Sequence, residues 1–223
     1  MTFLSSEIPN INFKDVSFAW TEKSIPVISN CNFSINKSGL WMIIGKNGSG
    51  KSTLLKLIQG ILRPNDGKVN CKAKPGIVFQ NPDHQILMPT CRSELLLNMN
   101  PEISRDDINI NIKNALNKVG LNGFEKRPIY TLSGGQKQRL TIACSLISNS
   151  NLILMDEPTA LLDKTSQLNI LKIIKELTCD KSHPFTALWI THRLEELRFA
   201  NGVAEMKDGK LSEWQKPSKF NFN

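Results

Sequence analysis

The chain has 223 residues, of which 40% are hydrophobic and 22% charged, and its 28 basic against 20 acidic side chains give a net charge of +8. This composition is ordinary for a globular protein and argues against a collagen-like, disordered or disulfide-stapled chain. The longest apolar runs, such as 40–44 and 152–155, are far short of the roughly 18 residues that a membrane-spanning helix needs. Residues 1–10 lack the basic start and apolar core of a secretory signal, so we expect the mature chain to begin near Met1.

The basic charge and the cysteines are weak guides to function. The charge fits a solvated basic surface, an anionic ligand, an anionic membrane surface or nucleic acid. No base-reading or base-stacking motif accompanies it, so no nucleic-acid partner is expected. The five cysteines form no C-x-x-C pair. Their spacing indicates unpaired thiols rather than a disulfide framework or a metal site.

Alternating strand and helix patterns predict an α/β core with a parallel sheet. Segments 10–40 and 60–80 contain short strand-like pieces between Gly, Pro and Asn turns, which predict a small antiparallel sheet beside that core. The continuous apolar run Leu40–Ile44 predicts a strand buried on both faces. Leu152–Met155 and Thr186–Ile190 predict two further strands of the same kind.

The segment 84–140 is predicted to be mainly helical and inserted into the core. Ser104 is the predicted N-cap of one helix there, and Gly120 is predicted to end it. The apolar stripe of that helix consists of Ile108, Ile112, Ala115, Leu116 and Val119. We expect one domain, 1–223, with the core and antiparallel sheet at about 10–83 and 141–223 and a helical subdomain at about 84–140.

Asp163 is predicted to cap a second helix in the C-terminal part of the chain. The apolar positions of that helix are Leu168, Leu171, Ile174 and Leu177. After the third strand, Val203–Met206 and the Asp208–Gly209 turn signal predict a closing hairpin.

Residues Gly45–Ser52 fit the phosphate-binding pattern G-x-x-x-x-G-K-[ST], directly after the first core strand and before a helical run that begins at Thr53. Glycines allow backbone N–H groups to point at phosphate oxygens beside a helix N-terminus. Lys51 is predicted to neutralise charge on the β- and γ-phosphates, and the Ser52 hydroxyl to ligate Mg²⁺. The loop therefore predicts a nucleoside triphosphate site.

Two carboxylates follow the second core strand. Asp156 is placed to hold Mg²⁺ through water, and Glu157 to orient and deprotonate an attacking water. Upstream, Leu132–Gln136 predicts a second anion-binding helix start, which Ser133 would cap. One chain has little use for two distant phosphate cradles unless a second copy supplies the other half of each site.

These motifs, in this order, resemble those of the ATP-binding subunit of an ATP-binding cassette (ABC) transporter, and the resemblance covers nearly the whole chain. It implies an ATP hydrolase with a P-loop NTPase (RecA-like) core, a small antiparallel β subdomain and an inserted helical subdomain. It identifies 45–52 as the Walker A loop, 132–136 as the signature and Leu152–Asp156 as Walker B, with Glu157 as the catalytic glutamate.

The resemblance also implies roles for single residues. Gln80 matches the Q-loop glutamine that contacts Mg²⁺ and the attacking water, and His192 the switch histidine that contacts the γ-phosphate. Trp20 stands where a tyrosine usually stacks on adenine, and an indole can stack equally well. Asp163 belongs to the D-loop, which here reads Ala160–Asp163 and lacks the usual small polar residue.

The predicted catalytic residues are Lys51, Gln80, Glu157 and His192. The predicted nucleotide-binding residues are Trp20, Gly45, Asn47, Gly48, Ser49, Gly50, Lys51, Ser52 and Thr53. The predicted signature residues, which would serve the partner's nucleotide, are Ser133, Gly134, Gly135 and Gln136. The predicted Mg²⁺ ligands are Ser52, Gln80 and Asp156. ATP and Mg²⁺ are the implied cofactors.

A finer resemblance lies in Phe79–Ile86, which is similar to the Q-loop stretch of ATPases from energy-coupling factor importers of cobalt, nickel or vitamins. Those ATPases commonly carry a further C-terminal segment, whereas this sequence ends 31 residues after His192. The implied partners are a second ABC ATPase subunit, identical or related, and integral membrane subunits, with this chain peripheral on the cytoplasmic face.

Other interpretations stay open at this point. The chain could serve another ABC importer or an exporter, or be a cassette ATPase that acts on DNA, ribosomes or cofactor assembly. The long coiled coils or second cassette of those non-transport relatives are missing from the sequence. An inactive regulatory cassette is disfavoured because Lys51, Gln80, Asp156, Glu157 and His192 are all present.

Overall fold

The structure is a computed structural model that describes residues 11–21, 24–73, 75–101 and 103–220. The expectation that no secretory signal is present concerns residues 1–10, which lie outside the described part.

A three-stranded antiparallel sheet forms one part of the structure. It contains β1 (Ile11–Phe18), β2 (Ile28–Ile35) and β4 (Asp66–Cys71), with β1 in the middle. Buried and exposed side chains alternate along much of β1 and β2, as expected where one face packs on a core. Phe13 and Phe33 stack across the strand pair at 4.5 Å. The predicted small antiparallel sheet is confirmed.

A six-stranded sheet forms the centre. Its strands are β3 (Gly39–Ile44), β5 (Gly76–Val78), β6 (Leu152–Asp156), β7 (Thr186–Ile190), β8 (Gly202–Lys207) and β9 (Lys210–Leu211). The order is β5-β6-β7-β3-β8-β9, and only the β8–β9 pair is antiparallel. All five side chains of β7 are buried, because apolar clusters cover both faces of the sheet. The three predicted core strands and the closing hairpin are confirmed.

Five α-helices surround these sheets in the described residues. They are α1 (Lys51–Ile58), α2 (Cys91–Leu97), α3 (Arg105–Lys118), α4 (Gly134–Ile147) and α5 (Lys164–Cys179). The Ser104 hydroxyl accepts from the Asp107 N–H at 3.2 Å and caps α3, which gives way at Gly120 with φ +66°. The α3 stripe is confirmed, with Ile108 partly buried and its other four members buried.

Helix α4 runs across residue 140, the position at which the sequence places the end of the helical subdomain. Its buried residues join the apolar cluster that includes strands β6 and β7. The helix therefore packs on the core as well as on the helical segment. None of the helices in the described part of the chain combines the length and apolarity needed to cross a lipid bilayer.

Helix α5 begins as predicted, with the Asp163 carboxylate accepting from the Ser166 N–H at 3.0 Å. The predicted apolar stripe is wrong at one position, because the Leu168 side chain is 38% exposed. The neighbouring Gln167 is buried instead, since its side-chain amide donates to carbonyl groups of the loop that precedes α5.

Candidate active site

The phosphate-binding loop joins the carboxyl end of β3 to the first residue of α1. Within it the Ser49 N–H donates to the Lys46 carbonyl at 3.1 Å, which curls the loop back on itself. Gly50 precedes the helix with φ +104°, and a Cβ there would lie 2.9 Å from the Val27 carbonyl oxygen. Only glycine fits both the conformation and the space.

Lys51 points into the loop that precedes it. Its Nζ donates to the carbonyl groups of Gly45 and Lys46 at 2.7 and 3.0 Å. The residue is only 7% exposed. An ammonium group held inside a curled loop at a helix N-terminus creates a positive centre, to which phosphate oxygens would be attracted.

A cleft of about 420 Å³ opens over this loop. It is lined by Trp20, Val27, Asn47, Gly48, Gly50, Lys51, Ser52, Thr53, Asp156 and Glu157. The loop's positive centre and two carboxylates of the β6 end thus face one space. Ser49 and Asn47 also border a neighbouring groove between the loop and the β8–β9 hairpin.

Asp156 and Ser52 form the oxygen-rich side of the cleft. Burial raises the pKa of the Asp156 carboxyl, a hydrogen bond from the Ser52 hydroxyl lowers it, and the neighbouring Glu157 raises it. A hydroxyl and a carboxylate suit Mg²⁺, which binds few protein oxygens and completes its shell with water and phosphate. No cluster of three or more His, Cys, Asp or Glu side chains in the described residues is arranged to hold a metal by itself. These donors therefore fit the Mg²⁺ of a nucleotide.

Glu157 has a left-handed backbone, with φ +47°. This conformation costs about 1–3 kcal/mol for a residue with a side chain, so its surroundings must hold it in place. Its N–H donates to the Ile190 carbonyl at 3.0 Å, which ties the turn after β6 to the end of β7. Its Oε1 lies 3.2 Å from the Nδ1 of His192, a side chain that is 53% exposed.

Trp20 stands at the edge of the same cleft and is 56% exposed. The buried Phe18 supports it edge-on at 5.2 Å, and Lys56 lies 5.6 Å from the indole ring. The exposed indole can therefore stack on a planar base, while Phe18 belongs to the apolar core.

Gln80 lies at the same edge of the sheet, although it does not line the cleft. Strand β5 pairs in parallel with β6, so the residues after Val78 and after Met155 leave the sheet side by side. The loop around Gln80 is fixed to helix α4, since the Gln138 amide donates to the Phe79 carbonyl at 2.8 Å. Lys137 adds an ion pair to Asp83 at 2.7 Å.

The signature residues 133–136 lie away from this cleft, whose described lining does not include them. Ser133 and Gln136 form a reciprocal capping box at the start of α4. Gly135 is buried against α5, where a Cβ would meet the Ser166 Oγ at 2.6 Å. The site thus brings together the predicted Walker residues and His192, and leaves the signature apart.

Asp163 lies between these regions as the cap of α5. Hydrogen bonds from the side chain and backbone of Ser166 lower the pKa of its carboxyl. The neighbouring Leu161 of the D-loop is 63% exposed.

The two other histidines lie outside the site: His84 is near the Asn81 amide at 3.4 Å, and His183 near Asp180.

Sequence reasoning missed a buried polar group behind the site. Glu196, only 2% exposed, accepts hydrogen bonds from Thr159 and Trp189. The buried amide of Gln167 belongs to the same region. Glu196 stands in the segment Thr191–Arg198, of which six of eight residues are polar and in which a carboxylate is normally expected to be exposed. No local pattern distinguishes it from the exposed Glu195 beside it.

Comparisons with known proteins agree with this geometry. A family model described as ABC transporter matches residues 28–160. The chain is 42% identical to the ABC transporter I family member 10 of Arabidopsis thaliana, over 84% of this chain and 70% of that protein. It is 35% identical to the energy-coupling factor transporter ATP-binding protein EcfA1 of Streptococcus pyogenes, over 94% of this chain and 80% of that one.

Solved structures give the same result for the fold. The cbiO1 protein of Clostridium perfringens, described as part of the ABC transporter complex cbiONQ, superposes with a TM-score of 0.86 at 27% identity, over 94% of this chain and 89% of that one. A dimeric ATP-binding cassette in a post-hydrolysis state, bound to ADP and Pi, superposes with a TM-score of 0.76 at 25% identity, over 93% and 98% of the two chains.

Proposed function

This chain belongs to the ABC transporter family as an ATP-hydrolysing subunit, and from this premise we propose that it powers an energy-coupling factor importer of a transition-metal ion or a vitamin. The observation that carries the site assignment is the cleft where Lys51, Asp156 and Glu157 face one space.

Each residue of the cleft has a role in the proposed hydrolysis. Bound Mg²⁺ would supply charge neutralisation at the phosphates, and Ser52 and Asp156 are its proposed protein ligands, with Gln80 approaching from the adjacent loop. The Lys51 ammonium, now bonded to loop carbonyl groups, would transfer its hydrogen bonds to phosphate oxygens. Glu157 would accept the proton of the attacking water, and His192 would contact the γ-phosphate beside it.

The separation of the signature from the cleft supports a site built from two chains. We propose that Ser133–Gln136 of a second cassette, identical or related, closes over the nucleotide held by this one. The capped N-terminus of α4 would then present its amide groups to the phosphates of the partner's ATP. The solved relative bound to ADP and Pi is dimeric.

The import assignment rests on the relatives together with the Q-loop stretch. The relatives include an energy-coupling factor ATPase and a protein described as part of the complex cbiONQ. We propose cobalt, nickel or a vitamin as cargo, with the ATPase peripheral on the cytoplasmic face of the membrane.

A groove of about 660 Å³ beside the Q-loop is the proposed contact for the integral membrane subunit. Phe79, 42% exposed, and Leu97, 51% exposed, contribute apolar surface to it. Leu97→Asp should reduce recovery of the membrane subunit, while Ile110→Asp, on the exposed side of α3, should not. Equal recovery with both variants would contradict this docking face.

The catalytic assignment is tested with Glu157→Gln. The variant should bind Mg²⁺–ATP but lower kcat by about 100-fold or more, because an amide cannot accept the water's proton. Equilibrium nucleotide binding and phosphate release are the measurements. Glu176→Gln, on the exposed face of α5, is the matched control. Hydrolysis at the wild-type rate by Glu157→Gln would refute the role of Glu157.

A further inference from the structure

Glu196 is a buried carboxylate in a position that normally faces water. It lies in the short helical turn Leu194–Phe199 and is 2% exposed, whereas the side chain of Glu195 beside it is 62% exposed. Removing a carboxylate from water is costly unless donors compensate it. The elements that supply donors to Glu196 are therefore the parts of the structure that this residue connects.

Three donors converge on Glu196: Thr159 from the loop after β6, Trp189 from within β7 and Thr191 from the loop after β7. The Thr159 hydroxyl donates to its Oε1 at 2.5 Å, and the Trp189 indole N–H donates to its Oε2 at 3.1 Å. The side chain of Thr191 is a third partner, and together these bonds oppose the increase in pKa that burial causes. Thr159 follows Glu157 by two residues, and Thr191 immediately precedes His192.

The residues around Glu196 also support the strained turn that contains Glu157. Glu157 holds φ +47°, and the Ala160 N–H donates to its carbonyl at 3.1 Å. On the far side of the turn, the Gln167 amide donates to the Leu162 carbonyl at 2.6 Å, and Arg193 donates to Gln167 at 3.3 Å. The loops after β6 and β7 are thus joined by Glu196 on one side and by Gln167 on the other.

We propose that Glu196 is a positioning residue for ATP hydrolysis, which fixes the loops of Glu157 and His192 relative to each other through its bonds to Thr159, Trp189 and Thr191. The proposal rests on the proposed roles of Glu157 and His192. Glu196 itself does not line the nucleotide cleft in the described structure. Its loss should therefore change turnover rather than nucleotide binding.

The test compares Glu196→Leu, which removes every acceptor at this position, with Thr159→Val and their double variant, and Glu195→Leu is the exposed control. The readouts are kcat, the KM for ATP and the melting temperature. Each single variant should lower kcat about 10- to 100-fold, because a small misplacement of reacting groups has effects of that size. The KM should stay near the wild-type value, since the phosphate-binding loop is untouched.

Two further comparisons separate positioning from general packing. The double variant should be no slower than the slower single variant, because Glu196→Leu already removes the acceptor of the hydrogen bond that Thr159→Val breaks. Thr159→Ser keeps the hydroxyl and should retain the wild-type kcat. If Glu196→Leu does not fold, the Thr159→Val and Thr159→Ser pair decides the question in the same way.

A wild-type kcat in folded Glu196→Leu and Thr159→Val would overturn the proposal, and so would additive losses or a loss confined to KM. Glu157→Gln is measured in parallel. If it abolishes turnover while Glu196→Leu is normal, only the positioning role fails. If Glu157→Gln hydrolyses ATP normally, the proposed role of Glu157 as the base fails, and the role of Glu196 fails with it.

Discussion

The two signature glycines, Gly134 and Gly135, should respond in opposite ways to alanine substitution. A Cβ at Gly135 would lie 2.6 Å from the Ser166 Oγ and 2.8 Å from its Cβ. At Gly134 the nearest atom is the Leu162 Cδ2 at 3.4 Å, an ordinary contact distance. Both glycines lie in the first turn of α4, so their effects on the unfolded chain are equal.

The expected magnitude follows from two opposing effects. Forcing α4 away from α5 costs about 1–3 kcal/mol, as other overpacking substitutions do. Replacing glycine stabilises by about 0.4–1 kcal/mol through the unfolded chain, which offsets part of this cost. Gly135→Ala should therefore lower the free energy of unfolding by about 1–2 kcal/mol, equivalent to about 2–4 °C in Tm per kcal/mol for a chain of this length. Gly134→Ala should leave it unchanged or raise it.

Urea unfolding followed by circular dichroism measures both variants. Ser166→Gly removes both close atoms, so the double variant Gly135→Ala/Ser166→Gly should be more stable than the sum of the single effects predicts. Equal stability of Gly134→Ala and Gly135→Ala, or no coupling between 135 and 166, would refute the argument from close packing.

Three further predictions concern other residues. Lys51→Ala should weaken ATP binding and also destabilise the nucleotide-free chain, because it removes two charged hydrogen bonds, each worth about 1.5–3 kcal/mol net of exchange with water. Calorimetric titration and urea unfolding measure the two effects, and unchanged ATP affinity would count against the loop assignment. Trp20→Ala should weaken ATP binding, whereas Trp20→Tyr should retain it, because an indole and a phenol ring can both stack on a base. Equal affinities of the two variants for a fluorescent ATP analogue would exclude stacking. Hydrogen bonds from Ser182 lower the pKa of Asp180 from 3.8 to about 2, so the contribution of this carboxylate to the free energy of unfolding is complete above pH 3.8 and is lost as the pH falls towards 2. Between pH 5 and pH 2, Asp180→Asn should therefore lose less stability than the wild type. An identical pH dependence of the two proteins would contradict this sign.

Much of the fold is predictable because the core strands are continuous apolar runs and the helix caps have local signatures. Thr186–Ile190 is a clear example, since all five of its side chains are buried. Ser104 and Asp163 could be recognised as caps because the bond that each makes spans only three residues. Local interactions of this kind are contained in a short stretch of sequence.

The interactions that could not be predicted join residues far apart in the chain. Leu168 was expected on the buried face of α5, but Gln167 is buried there because its amide binds the carbonyl groups of the preceding loop. The burial of Glu196 depends on Thr159, which lies 37 residues away. The left-handed backbone of Glu157 likewise has no signal in the run Met155–Pro158.

The candidate site shows the same division. The Walker loop could be placed from its own pattern, since its strand and helix are adjacent in the sequence. The separation of the signature from this loop was also expected, but the contacts of α4 with α5 and with the Q-loop that hold the signature in place join residues far apart in the chain.

Mass spectrometry of the proteins that copurify with the tagged chain from detergent-solubilised membranes of its host tests the proposed function most directly. Leu97→Asp, purified in parallel, is the matched control for specific docking at the groove. We expect the wild type to recover an integral membrane scaffold together with a substrate-binding membrane protein, and the variant to recover less of both. Recovery of soluble partners alone would contradict the importer assignment.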